Sequence, residues 1–468
     1  MTGALSMKGF LVFAGGLCLI LATISPAQKR ASSKAASGAT PNKLISVKVA
    51  GHTRYTEKEI LGVTGLKLGQ DAGDGEFKEA TQRLGQSGLF SSVSYSFSYS
   101  DAGVKVEFQL IDKDKITLLP ARFENFVWFS DAELRAILEQ RVPLLKDSML
   151  PDSGRLPDYV NETLQALLTE HGIPGRVSYM RESSQEGGEL VGIVYRVEEV
   201  SIHIRNVEFP GASAEQIPFL EKAAHQLLDA EYFRSKVAAV AKFDLLPLYL
   251  ERGYLKAAFG PADARVVSGP GAKADQTKSP DAKGDEAGAS DNNSSDVVVD
   301  TIIPVTPGKV YTVAGVTWKG NLAVTTDEAT RFFHLTIDRP TDAVRVVSDT
   351  ENLTRFYHSR GYMTAQVKPV AQLDDEKSTV HYEMNVSEGD LYKMGELEIV
   401  GVDTPSKDRL NAAWKLREGQ PYDAEYTRTF LEEAPRLLPS GLRYTVSVNE
   451  VLSKKDKAVD VTLQFKVQ

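Results

Sequence analysis

Ser87-Gly88-Leu89-Phe90-Ser91-Ser92-Val93-Ser94-Tyr95 reads as the end of a helix, one glycine, one apolar residue and then a β-strand. A glycine just past a helix closes the last turn in the left-handed conformation, and the apolar residue after it folds back onto that turn. The same punctuation returns at His171-Gly172-Ile173, Arg252-Gly253-Tyr254, Arg360-Gly361-Tyr362 and Ser440-Gly441-Leu442. Each copy follows a helix-like segment and precedes a strand-like one. Three of the four spacings are about 80 residues and one is about 27 residues longer, so the chain is read as a repeat.

Around each glycine the order is strand, helix, helix, strand, strand. In the first unit Ile45, Val47 and Val49 alternate along a strand that ends at Gly51. Thr56-Glu57-Lys58-Glu59 has the spacing of a capping box, and Phe77, Ala80 and Leu84 form the apolar stripe of a second helix. After Gly88, Val93, Tyr95, Phe97 and Tyr99 alternate on one strand, Asp101-Ala102-Gly103 turns the chain, and Val104, Val106, Phe108 and Leu110 alternate on the return. Capping boxes recur at Ser130-Asp131-Ala132-Glu133 and Thr325-Thr326-Asp327-Glu328. The third unit is expected to hold one long helix burying Val237, Val240, Ala241, Leu245, Leu248 and Tyr249, and the last helix to break near Pro435.

The long spacing has a visible cause. Residues 268–296 hold no aromatic or large aliphatic side chain, a composition that cannot offset its ordering entropy, so this insertion is predicted to be disordered. The expected division is a signal peptide at 1–27, a flexible leader at 28–42, and units at 43–112, 113–200, 201–310, 311–391 and 392–468.

Among 468 residues, 42% are hydrophobic and 25% charged, the balance of a globular chain. A net charge of −9 with both signs mixed argues against nucleic acid as a partner. At the N-terminus Lys8, the apolar run Phe10 to Ile24 and Ser25-Pro26-Ala27 have the layout of a secretory signal peptide. Cys18, the single cysteine, lies inside that run, so cleavage leaves no thiol for a disulfide, a nucleophile or a metal. The seven histidines are scattered, with no metalloprotease pair, and no phosphate-binding or nucleophile-elbow motif occurs. Asp71-Ala72-Gly73-Asp74-Gly75 lacks the spaced carboxylates of a calcium loop and reads as an inter-helix turn. Trp128, Trp318 and Trp414 are expected to pack in cores. The reading is of a protein without catalytic residues, cofactor or metal.

The units resemble POTRA domains. The residues that carry the resemblance are Val49-Ala50-Gly51-His52-Thr53-Arg54-Tyr55, Gly88-Leu89-Phe90-Ser91-Ser92-Val93, and the junctions Pro307-Gly308-Lys309-Val310-Tyr311 and Glu388-Gly389-Asp390-Leu391-Tyr392. Unit two departs from the pattern, with Phe123-Glu124-Asn125 where the glycine after the first strand belongs. The resemblance covers about 43 to 468 and implies an α+β fold of five tandem β-α-α-β-β units in an elongated rod, on the order of 100 Å long. It is similar to the periplasmic part of BamA-type outer-membrane β-barrel assembly factors, without strands for a C-terminal barrel in this sequence. The implied location is the periplasm, in association with the outer membrane. The implied partners are unfolded outer-membrane or secreted proteins, with accessory envelope lipoproteins or a separately encoded barrel beside them.

The implied activity is binding. If the second strand of each unit lies at a sheet edge, its unpaired backbone groups can take an extended client strand without reading its sequence. The candidate edges are Ser92–Tyr99, Arg176–Arg181, Lys256–Val267, Ala365–Leu373 and Arg443–Glu450. Their candidate client-facing residues are Val93, Tyr95, Phe97, Val177, Tyr179, Val266, Val367, Val446 and Val448. The bland reading of these residues is the core face of each sheet. A second functional class stays open, an envelope interaction protein of the cell-division or adhesion type, with the barrel-less part of a split assembly factor as a variant of the first. A mature N-terminus at Gln28 favours the assembly reading, and retention of Met1 in the inner membrane favours the other.

Overall fold

A computed structural model describes residues 42–52, 54–184, 187–272, 296–439 and 443–467. The expected signal peptide, most of the leader, the glycine cap at Gly441 and most of the insertion lie outside the described residues.

The first repeat runs β1 (Leu44–Ala50), α1 (Glu57–Thr64), α2 (Asp74–Gln86), β2 (Phe90–Ser100) and β3 (Gly103–Asp112). The second runs β4 (Leu118–Phe123), α3 (Asp131–Arg141), β5 (Met149–Pro151), α4 (Leu156–Glu170), β6 (Arg176–Ser183) and β7 (Leu190–Glu198). Next come β8 (Ser201–Glu208), α5 (Ile217–Ala224), α6 (Arg234–Val240), α7 (Leu246–Leu250), β9 (Ala258–Phe259), β10 (Asp263–Ser268), β11 (Asp296–Ile302) and β12 (Val305–Thr306). The C-terminal part holds β13 (Thr312–Lys319), α8 (Thr326–Thr330), α9 (Ala343–Ser359), β14 (Gln366–Asp374), β15 (Thr379–Ser387), β16 (Lys393–Val400), α10 (Thr404–Ala413), α11 (Ala424–Glu433), β17 (Tyr444–Ser453) and β18 (Ala458–Val467).

One sheet order recurs. The last strand of each repeat is central, parallel to the first and antiparallel to the second: β3 between β1 and β2, β7 between β4 and β6, β11 between β8 and β10, β15 between β13 and β14, β18 between β16 and β17. The strand that follows the helices is therefore always an edge. The short β5 covers β4 in the second repeat, an element the sequence reading did not anticipate.

All three expected capping boxes form, at Thr56, Ser130 and Thr325, each with its glutamate three residues on. Three of the glycine caps, at Gly172, Gly253 and Gly361, form with the expected bonds. Gly361 has φ +89°, its N–H reaches the His358 carbonyl at 3.2 Å and the Tyr362 N–H reaches back to Tyr357 at 3.0 Å, the two bonds of a Schellman turn. Gly172 and Gly253 carry the same pair of bonds.

Three expectations need correction. The strand read as Lys256–Val267 is broken into β9 and β10, because Gly260-Pro261 interrupts it and proline cannot donate to a ladder; β9 pairs instead with β12. The long helix of the third repeat is interrupted by a π-turn at Ala241–Leu245, which widens the backbone ahead of the Pro247 ring. The insertion is narrower than 268–296: Ser268 pairs with Val298 in the sheet, Asp296 opens β11, and the Pro270 carbonyl accepts the Trp128 indole N–H at 2.8 Å. Trp128 thus packs on the third repeat, whereas Trp318 and Trp414 sit half-buried against Phe333 and Phe430, as expected of core residues.

The apolar cores are not equal. One continuous core runs from Leu44 through Phe77, Phe126 and Leu164 to Tyr249 and Val305, joining the first three repeats, while residues 311–386 and 392–465 hold separate clusters.

Candidate functional site

The candidate site is the set of edge strands and the joints that aim them. On β2 the alternation places Val93, Tyr95, Phe97 and Tyr99 on the face toward α2, where the Phe77 ring meets Tyr95 at 6.2 Å and Phe97 at 5.3 Å between centroids. The Tyr95 hydroxyl donates to Asp74 in the first turn of α2 at 2.8 Å. That hydrogen bond, helped by desolvation, lifts the hydroxyl above its ordinary value. The opposite face of β2 is a row of exposed serines, Ser92, Ser94, Ser96, Ser98 and Ser100. The strand spans 11 residues without one charge, and Phe97 and Tyr99 remain 36% and 52% exposed beside its open edge. Natural sheets usually blunt such an edge with lysine, proline or a bulge; β2 has only a register shift near Phe90.

The other edges are less open. On β6 Val177 is buried and its N–H is taken by the Gln165 side chain at 2.8 Å, with Gln165 also donating to the Gly175 carbonyl. Tyr179 is tied to Asp158 at 2.7 Å, and burial, followed by that hydrogen bond, raises its hydroxyl. Val266 is half-buried on β10, beside a bulge and across a cleft of about 870 Å³ from Val127, Trp128 and Phe129. Val367 is buried on β14, where Pro369 interrupts the open edge: the ladder to β15 continues past it, so its missing donor faces outward. On β17 Val446 packs on the core and Val448 is 36% exposed, with Glu450 receiving the Tyr422 hydroxyl at 2.7 Å. The structure therefore distributes the nine residues over five edges and leaves β2 the most open, followed by β17.

The joints use the features that flank the caps. The Tyr311 N–H donates to the Gly253 carbonyl at 2.8 Å and the Tyr392 N–H to the Gly361 carbonyl at 2.7 Å, so the residue opening a repeat bonds to the glycine closing the previous one's helix. A hairpin tip then folds over each linker. Asp375 takes the Tyr311 hydroxyl at 2.5 Å and Lys256 at 2.6 Å, and Lys457 pairs with Asp390. Earlier in the chain, a Cβ at Gly88 would collide with the Ser153 carbonyl, and Arg155 N–H donates to Gln86 at 2.7 Å.

The second joint is built differently, and sequence reasoning missed it. Asn125, 2% exposed, pairs side chain to backbone with Val197, donating to its carbonyl at 2.9 Å and accepting its N–H at 2.8 Å. Glu124 receives the backbone N–H and hydroxyl of Ser235 at 3.0 and 2.8 Å, and Arg234 reaches Asp131 at 2.7 Å and the Phe129 carbonyl at 3.1 Å. The only signal was the absent glycine at Phe123-Glu124-Asn125.

In the third sheet Arg205 binds Asp300 through two nitrogens, at 2.9 and 2.7 Å, and Arg265 adds a contact at 3.0 Å. Burial works to raise the Asp300 carboxyl, but the two guanidiniums outweigh it and hold the group below the usual carboxylate range. A carboxyl depressed on folding stabilises the fold above its unfolded value of about 3.9 and loses that contribution as pH falls through its folded value. Asp300→Asn is accordingly expected to lower the urea midpoint at neutral pH, with the gap from the parent narrowing below about pH 4. A gap independent of pH would contradict this role.

Among the described residues no group of three His, Cys, Asp or Glu is placed to hold a metal, and no helix is long and apolar enough to cross a membrane.

Residues 311–389 match the family model for POTRA, described as a surface antigen variable number repeat. The chain is also similar to several solved structures. POTRA domains 3–5 of Haemophilus influenzae BamA are 18% identical, with a TM-score of 0.41 over 57% of this chain and 96% of that one. The N-terminal domain of Omp85 from the thermophilic cyanobacterium Thermosynechococcus elongatus is 16% identical, with a TM-score of 0.24 over 58% and 99%. CdiB from Escherichia coli is 15% identical, with a TM-score of 0.21 over 54% and 35%. The segment 311–389 is a POTRA domain, and the sheets of the described residues do not close into a barrel.

Proposed function

We propose that the chain is an exported scaffold of five tandem POTRA domains, at 43–112, 113–200, 201–310, 311–391 and 392–468, arranged as an elongated rod. It acts in the periplasm at the outer membrane, in the assembly or secretion of envelope proteins. It holds unfolded outer-membrane or secreted polypeptides by adding them as strands to its sheet edges. The observation that carries this reading is β2: an uncharged edge with its ladder on one side only, exposed aromatic side chains on one face and small serines on the other. Backbone pairing supplies affinity that is indifferent to sequence, and the aromatic face supplies contacts for alternate client side chains. The POTRA match at 311–389 and the resemblance to BamA and Omp85 POTRA domains support the same class of role.

The test places charge on the edge without touching the core. Ser94→Lys with Ser96→Lys changes two exposed positions and introduces the residue that sheets use to block pairing. The double variant is expected to keep the parent melting temperature and to lose about tenfold in affinity for an unfolded outer-membrane protein, read by light scattering and by protection of β2 amides from hydrogen exchange. Unchanged affinity with unprotected β2 amides in the parent would remove β2 from the function.

A further inference from the structure

The joint between the second and third repeats encloses a cleft of about 790 Å³ that the edge-strand reading does not use. Its walls are the outer face of the second sheet, at Arg122, Met180 and Arg196, and the start of α6, with Pro261 and Ala262 closing one side. Cations outnumber carboxylates along it, although the chain carries a net charge of −9. The carboxylates are all engaged. Glu182 takes Arg122 at 2.6 Å, Asp131 takes Arg135 at 2.9 Å and Arg234 at 2.7 Å, and Glu124 takes the Ser235 hydroxyl at 2.8 Å.

Two cations have no carboxylate of the described residues within ion-pair distance; Glu198, near enough to Arg196 to feel its charge, is itself paired with Arg176 at 2.8 Å. Among the described residues neither Arg196 nor Lys236 forms an ion pair. Arg196 has a buried Nε without a hydrogen-bond partner, and its terminal nitrogen reaches only the Met180 sulfur, at 3.6 Å. Its guanidinium lies 6.0 Å from the centre of the Phe233 ring. A guanidinium held against apolar groups, with donors unfilled, is suited to a carboxylate. The lining beside it is apolar, with Met180 53% exposed, so the ligand must bring apolar side chains as well as charge. A bare anion would satisfy Arg196 and leave that surface wet.

We propose that this cleft is a second binding site, for an acidic polypeptide segment in which carboxylates alternate with apolar side chains. The carboxylates pair with Arg196 and Lys236, and the apolar side chains cover Met180 and Phe233. The site is separate from the edge of β2, and it sits on a joint fixed by the Glu124–Ser235 and Arg234–Asp131 contacts. Occupation would bridge the two repeats.

Calorimetric titration of the full chain with a short end-capped peptide of alternating glutamate and phenylalanine tests this. The peptide is expected to bind, and to bind less tightly as salt rises from about 0.05 to 0.5 M. Arg196→Gln with Lys236→Gln is expected to weaken it about tenfold or more at unchanged melting temperature. Ala238→Glu, which adds a carboxylate to an exposed position in the lining, is expected to do the same. All titrations are repeated in the Ser94→Lys, Ser96→Lys background, where the β2 edge is blocked, and the loss caused by Arg196→Gln with Lys236→Gln is expected to be the same there, which separates this site from the proposed function of β2. No binding, equal binding of the matching lysine–phenylalanine peptide, or inorganic phosphate competing as well as the peptide would overturn the proposal.

Discussion

Replacing Asn125 with alanine is expected to destabilise the N-terminal part of the chain by about 3 kcal/mol. The side chain is buried and fills both backbone groups of Val197, itself 3% exposed. Truncation leaves a buried N–H and a buried C=O unpaired, each worth about 1–3 kcal/mol. The loss is not confined to one sheet, because the core that contains Val197 runs from Leu44 to Val305. Urea unfolding followed by tryptophan emission should therefore show Trp128 released at a lower midpoint while Trp318 and Trp414 report little change. Asn125→Asp keeps the acceptor for the Val197 N–H and loses the donor, so it should fall between the alanine variant and the parent. A shift below about 1 kcal/mol in Asn125→Ala would mean that the pairing is incidental.

Gly401→Val should unfold the last repeat. Gly401 follows β16 at φ +85°, and a Cβ there would overlap the Phe465 carbonyl oxygen on the central strand β18. Valine adds the strain of a branched residue at positive φ to a clash that only a backbone shift relieves, and the cost should reach about 3 kcal/mol or more. The Trp414 environment, against Tyr426 and Phe430, is the reporter. Gly172→Ala is the control. Its φ is +64° but no atom lies within 4 Å of the added Cβ, so the expected cost is conformational alone, about 1 kcal/mol. Equal losses in the two variants would refute the close-approach account.

These two positions also show what could be read from the sequence. Gly88 and Gly361 were legible because a glycine between a periodic segment and a strand marks a backbone turn that other residues resist, and Gly401 because, like Gly51, it closes the first strand of its repeat. The capping boxes at Thr56, Ser130 and Thr325 were legible because both partners lie within one turn. The two faces of β2 and burial on alternate positions of β3 were legible for the same reason, since the period of a strand is local. Contacts between distant segments were not. Nothing in Phe123-Glu124-Asn125 says that Asn125 will replace a backbone turn by pairing with Val197, or that Glu124 will receive Ser235 from the next repeat. The break at Gly260-Pro261 was present in the sequence and was outweighed in the reading by the apolar residues around it.

The edge strands were legible in position and not in rank. Edge placement follows from the strand order: β2, β6, β14 and β17 are edges as read, and of the divided third one β10 alone lies at the edge of its repeat's sheet. How open each one is depends on remote side chains: Gln165 folding over the start of β6, the facing wall of Val127 to Phe129 near β10, and Asp74 clamping Tyr95 beside β2. Only Pro369 could have been used beforehand, because a proline in a strand tells directly that one donor is missing.

Placing a photo-reactive amino acid at Ser94 or Ser96 of β2, and separately at Lys368 of β14, in cells that export the chain tests the central claim. Crosslinking to unfolded outer-membrane or secreted proteins from β2, with little from β14, is the predicted result. No client captured from β2, or capture equal at Lys368, would contradict it.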